Sequence, residues 1–163
     1  MVAEKYSKVQ FVIAGDGPLR AECEILIKEL NLSQKFFLLG YRNDIDKIYP
    51  ILTLTALSSL WEGLPVVFQE SMIAGKPIVA NNVDGAQDVI SDGKTGYLVS
   101  PRQPQEMADR IATLLNDEAL CDQMGISAQK IAEQFSSEGM IKQIESLYLE
   151  LLKEYHGGDL SRA

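Results

Sequence analysis

Short apolar runs alternate with longer stretches of helical spacing, and this alternation constrains the chain more than any other feature. Residues 9–14 (VQFVIA), 35–39 (KFFLL), 52–57 (LTLTAL), 78–80 (IVA) and 97–99 (YLV) have the length and the β-branched or aromatic content of buried strands. Between them, residues 19–30, 43–49, 64–75 and 84–90 carry apolar positions at helical intervals. The breaks fall at Gly15-Asp16-Gly17-Pro18, Gly40, Pro77 and the turn Asp92-Gly93-Lys94-Thr95-Gly96. Asn31 suits a helix C-terminus and Asn43 a helix cap. From Pro104 the pattern is helical to about residue 155, divided into 105–116, 118–124, 127–135 and 138–155. In the first of these, Met107, Ala108, Ile111, Leu114 and Leu115 share one stripe.

Strand and helix in alternation predict an α/β fold: a three-layer, Rossmann-like parallel sheet of about five strands with C-terminal helices. One domain is expected over 1–156, with a flexible polar tail at 157–163. Ligands of such sheets sit beyond the carboxyl ends of the strands. That assigns the binding zone to the loops at 15–18, 40–43, 58–65, 81–85 and 100–103.

The chain carries 15 Lys and Arg against 23 Asp and Glu, a formal charge of −8. An acidic domain repels a phosphate backbone at long range, which argues against a nucleic-acid partner. A small anion remains compatible, because helix N-termini and loop amides bind phosphate locally. Cys23 and Cys121 lie far apart and form no CxxC pair, as in reduced cytosolic proteins. The single histidine, His156, offers no material for a triad or a histidine metal site. The N-terminal decapeptide lacks the apolar core of a signal peptide, and a cytoplasmic location is expected.

The stretch from Ser58 to Glu70 (SSLWEGLPVVFQE) follows a strand and opens a helix. Pro65 stands just inside the helix start, where its missing N–H is no loss. The free amides of the first turn are a seat for an anion. Glu70 shares a stripe with Val66, Val67, Ile73 and Ala74, while Phe68 and Met72 make a second side apolar. The helix is therefore expected to be buried, and a carboxylate on it needs hydrogen-bond donors. A ribose diol would supply two, and Glu62 is placed to accept from sugar hydroxyls. Backbone amides satisfying Glu70 and a solvated Glu62 are the alternative reading of the same residues.

Glu62 and Glu70 stand seven residues apart, and E-G-L-P leads on to Gly75-Lys76-Pro77. This resembles the EX7E motif of glycosyltransferase family 4, in the C-terminal domain of a GT-B enzyme. Residues 11–18 (FVIAGDGP), 37–41 (FLLGY), 59–63 (SLWEG) and 93–99 (GKTGYLV) are similar to further landmarks of that family, in its order. The likeness spans roughly residues 8–150.

The resemblance implies half of a GT-B fold, a donor-binding domain of a retaining enzyme that moves a sugar from a nucleotide diphosphate sugar to an acceptor. It implies that Glu70 holds the ribose hydroxyls and that Glu62, Gly63 and Leu64 meet the donor sugar. The amides near Val66 and Val67 would meet the diphosphate, Tyr41 and Arg42 would flank the base, and Gly15 and Gly17 would let the first loop approach. A UDP- or GDP-sugar is the implied substrate, with no metal or resident cofactor.

The chain departs from the family in two places. Asp88 stands where the family carries a Glu. The family's domain opens with another strand and a helix whose Arg and Lys neutralise the diphosphate, and neither precedes residue 9. Lys76, Lys94 and Arg102 are read as solvated cations instead. The acceptor-binding N-terminal domain is also absent from this chain, so the isolated chain is expected to be inactive. The family order 3-2-1-4-5-6 places the missing strand at the centre of the sheet. Closure of the gap in the order 2-1-3-4-5, or self-association through an open edge, is expected. The other functions weighed are a non-catalytic nucleotide-binding or interaction module and another GT-B enzyme, such as a nucleotide-sugar epimerase.

Overall fold

The computed structural model describes residues 1–155, so His156 and the tail expected at 157–163 lie outside the described residues. Five parallel strands alternate with helices, as the periodicity predicts. They are β1 (Phe11–Ala14), β2 (Phe36–Gly40), β3 (Thr55–Leu57), β4 (Ile78–Asn81) and β5 (Gly96–Val99). The helices are α1 (Val2–Lys5), α2 (Arg20–Glu29), α3 (Ile45–Ile48), α4 (Val66–Ile73), α5 (Ala86–Val89), α6 (Pro104–Asn116), α7 (Glu118–Ala132) and α8 (Ser137–Tyr155). A 3-10 turn, Tyr49–Ile51, follows α3 directly. None of the described helices is long and apolar enough to cross a membrane.

The strands form two sheets. β1 pairs with β2, and β4 lies between β3 and β5. Closure in the order 2-1-3-4-5 is thereby corrected, because β1 forms no ladder with β3. Other contacts seat the first pair of strands. α1 lies against α6, and the Tyr6 hydroxyl donates to the Ala112 carbonyl at 3.5 Å. Lys35, just ahead of β2, donates to the carbonyls of Ala3 and Tyr6 and so ties α1 to the strands. Phe11 and Phe36, paired across the ladder, stack with ring centroids 4.3 Å apart.

The core belongs to the three-stranded sheet, and β4 shows why. Side chains alternate across a strand. Ile78 and Ala80 face Phe68 and Met72 of α4, Ala86 and Val89 of α5, and Ala128 and Ala132 of α7. Val79 faces the other way, with Val99, against Leu114 of α6 and Cys121 and Met124 of α7. Both faces are covered, which gives this sheet its three layers.

The expected break between residues 124 and 127 does not occur, and α7 runs unbroken through Gly125. That glycine permits a close crossing: a Cβ on it would come within 2.0 Å of the Gly75 carbonyl oxygen. Asp117 caps α7, accepting the Leu120 N–H at 2.9 Å. Pro104 opens α6 and Asn31, at φ 55°, follows α2, both as expected. The cap of α3 is Asp44 rather than Asn43, and it makes no side-chain capping bond.

Candidate functional site

The loop between β3 and α4 lines an open groove of about 810 Å³, formed by Ser58, Ser59, Leu60, Trp61, Glu62 and Gly63. It lies at the carboxyl end of β3, where the fold predicts a ligand. Two contacts fix the loop. Asn81, buried at the end of β4, donates from Nδ2 to the carbonyls of Ser58 at 2.8 Å and Ser59 at 3.0 Å. Gly85, at φ 66°, lets the next loop close on Gly63, since a Cβ there would stand 1.4 Å from the Gly63 oxygen. Both residues fall in the 81–85 loop that the sequence assigns to the binding zone, but neither role is foreseen there. The φ of Gly85 has a faint signal in its Asp84-Gly85 turn, and Asn81 has none.

Within the fixed loop, Glu62 is half-buried and takes no hydrogen bond from the described residues. Trp61 beside it is 80% exposed and offers a broad apolar surface at the groove. Gly63 and Leu64 are exposed. α4 then begins with Val66 and Val67, whose amides head the helix where the ladder supplies no carbonyl. Pro65 caps the helix without a side-chain bond, and its carbonyl accepts the Phe68 N–H at 3.0 Å.

The expected burial of α4 needs correction. Phe68, Ser71 and Met72 form its buried face, while Val66 and Ile73 are exposed. Glu70 lies half-buried at the margin. Its partner is a side chain: the Tyr49 hydroxyl donates to Oε2 at 3.0 Å. Burial, and then the hydrogen bond and charge of Glu70, push the Tyr49 phenol well above its ordinary pKa.

The other predicted residues lie on the two-stranded sheet. Gly15 donates its N–H to the Gly40 carbonyl at 2.8 Å, joining the loops beyond β1 and β2. Gly17 has neither a positive φ nor a close neighbour that would require glycine. Tyr41 is 84% exposed. Arg42 grips Asp44 with two hydrogen bonds, of 2.8 and 2.7 Å, and these hold the Asp44 carboxyl below its usual range. Among the described residues, no hydrogen bond or ion pair joins Gly15, Gly17, Tyr41 or Arg42 to the segment 58–70. Asp88, Lys94 and Arg102 are exposed, and Lys76 is half-buried. Cys23 and Cys121 are free thiols, the first exposed and the second buried.

The family described as Glycosyl transferases group 1 matches residues 1–131. The alpha-D-kanosaminyltransferase of Streptomyces kanamyceticus is 35% identical over 145 residues, which are 87% of this chain and 38% of that protein. A crystal structure of a mutant TarM from S. aureus, in complex with UDP among other ligands, superposes with a TM-score of 0.85 at 31% identity, over 90% of this chain and 30% of that one. Anabaena Alr3699/HepE in complex with UDP gives 0.83 at 29% identity, over 91% of this chain and 43% of that one. The chain thus spans between 30% and 43% of the length of these relatives. Its fold is that of the C-terminal domains of GT-B glycosyltransferases. On the family match, which covers residues 1–131, the chain belongs to the group 1 glycosyltransferases.

Proposed function

We propose that this chain belongs to the donor-binding domain of a retaining glycosyltransferase of family 4. The observation that carries the reading is one arrangement at the carboxyl end of β3. Glu62 borders the groove, the amides of Val66 and Val67 head α4, and Glu70 follows about one turn later on the same helix. A nucleotide diphosphate sugar has matching parts: sugar hydroxyls, a diphosphate and a ribose diol. The amides and the helix dipole take the diphosphate. Glu70 accepts from the ribose hydroxyls, and Glu62, with Gly63 and Leu64, meets the sugar. Tyr41 and Arg42 flank the base, and the loop bearing Gly15 and Gly17 borders the cleft.

In the complete enzyme the bond from the anomeric carbon to the diphosphate breaks and a bond to the acceptor oxygen forms with the same configuration. The nucleoside diphosphate leaves, and its departing oxygen takes up the proton that the acceptor hydroxyl loses. The UDP in complex with TarM and with HepE supports a nucleotide diphosphate sugar, a UDP- or GDP-sugar, as donor. No metal or resident cofactor is invoked. An acceptor-binding domain outside this chain supplies the rest of the cleft, so the chain alone binds donor without transferring it. The reading assigns the protein to polysaccharide or glycoconjugate synthesis in the cytoplasm.

Calorimetric titration with UDP, GDP and ADP, then with UDP-glucose, UDP-GlcNAc and GDP-mannose, tests this directly. Saturable binding with a preference for one base is expected. Glu70→Ala weakens every nucleotide about tenfold or more, as loss of hydrogen bonds to a charged group does. Glu62→Ala chiefly reduces discrimination among sugars. Affinities unchanged in both variants would sink the assignment.

A further inference from the structure

We propose that Tyr49 is a positioning residue for the nucleotide site: its hydroxyl holds one carboxylate oxygen of Glu70 and leaves the other to accept from the ribose hydroxyls of a nucleoside diphosphate. The proposal rests on the ribose role of Glu70 given above. Four observations support it.

The Tyr49 hydroxyl lies 3.0 Å from Oε2 of Glu70 and 3.4 Å from the Val67 carbonyl oxygen. A hydroxyl has one proton, and the shorter, charged partner takes it. Oε1 of Glu70 takes no hydrogen bond from the described residues, so it keeps its capacity to accept. The donor itself is rigid. Tyr49 is only 9% exposed and opens the 3-10 turn between α3 and β3. Finally, Val67 and Glu70 are three residues apart on one face of α4, so a single side chain fixes the helix beside both the amide that heads it and the carboxylate.

A glutamate that bound ribose from solvent would first have to give up its rotamer freedom. The Tyr49 hydrogen bond removes that freedom before the ligand arrives, which is how preorganisation raises affinity.

The test is a double-mutant cycle read by calorimetry, with the best-bound of UDP, GDP and ADP and its 2′,3′-dideoxy counterpart as probes. Tyr49→Phe keeps the buried ring and removes the proton. It is expected to raise Kd about tenfold and to shrink the preference for the ribonucleotide over the dideoxy form. In a Glu70→Ala background the same change is expected to alter Kd less than about twofold, because coupled residues are not additive.

Weakened binding in Glu70→Ala with none in Tyr49→Phe overturns the positioning role and leaves the ribose reading standing. An equal loss from Tyr49→Phe in both backgrounds shows that Tyr49 acts on the fold and not through Glu70, and also overturns it. Unaltered binding in Glu70→Ala, or no binding of any nucleotide by the unaltered chain, overturns the ribose reading and the proposal with it. A second measurement leaves the Tyr49 ring untouched: the Cζ resonance of labelled Tyr49 is expected to shift in Glu70→Ala, and a resonance that stays in place contradicts the hydrogen bond.

Discussion

β1 reads Phe-Val-Ile-Ala and β4 reads Ile-Val-Ala-Asn, two nearly equivalent strands by composition. In β4 every residue is buried, with Ile78 and Val79 at 0% exposure. In β1 Val12 is 38% exposed and Ile13 46%. The difference lies in the neighbours. β4 is paired on both sides and covered on both faces by helices, whereas β1 has one paired strand and an open edge. α2, between β1 and β2, buries no residue, and Ile25, Leu26 and Leu30 are each more than half exposed. An apolar strand sequence permits a core without creating one, because the stabilisation comes from the area its neighbours remove from water. The site follows the same division. Its carboxylates and helix N-terminus are mounted on the packed sheet, and the residues expected to flank the base are mounted on the open one.

The sharpest challenge to this contrast is a matched pair of truncations followed by urea unfolding. Met72 is fully buried in the packed half, and Met72→Ala is expected to lose about 2–5 kcal/mol. Ile13→Ala in the open half is expected to lose only about 1 kcal/mol, since nearly half of its area stays in water. Equal losses would show that the open half is as well packed as the other.

A smaller effect refines the packed half. Helix propensity alone predicts that Gly125→Ala gains up to about 1 kcal/mol. The crossing of α7 over Gly75 predicts a loss of about 1–3 kcal/mol instead, from overpacking against a backbone carbonyl. The sign of the change decides between them.

Much of this structure was legible in the sequence. Strand and helix differ in period, so five strands, the intervening helices and the loop carrying Glu62 could all be read from spacing. The split of the sheet could not be. Phe-Val-Ile-Ala looks buried whether or not a neighbour covers it. Separate helices at 118–124 and 127–135 were expected because local propensity carries no information about the Gly75 carbonyl that Gly125 lets α7 cross. α4 was expected to be buried all round because Val66, Val67, Phe68, Met72 and Ile73 make it apolar on nearly every side, and periodicity then selects no face. The need of Glu70 for a donor was foreseen. Tyr49 was not, because it lies 21 residues away in the chain and meets Glu70 only through the fold.

Hydrogen–deuterium exchange of the chain with and without saturating UDP tests the central claim, that the donor site lies at the carboxyl end of β3. The account predicts slower exchange on binding across residues 58–70 and 41–49, with residues 104–155 unchanged. Protection confined to 104–155, or to no segment at all, would contradict it.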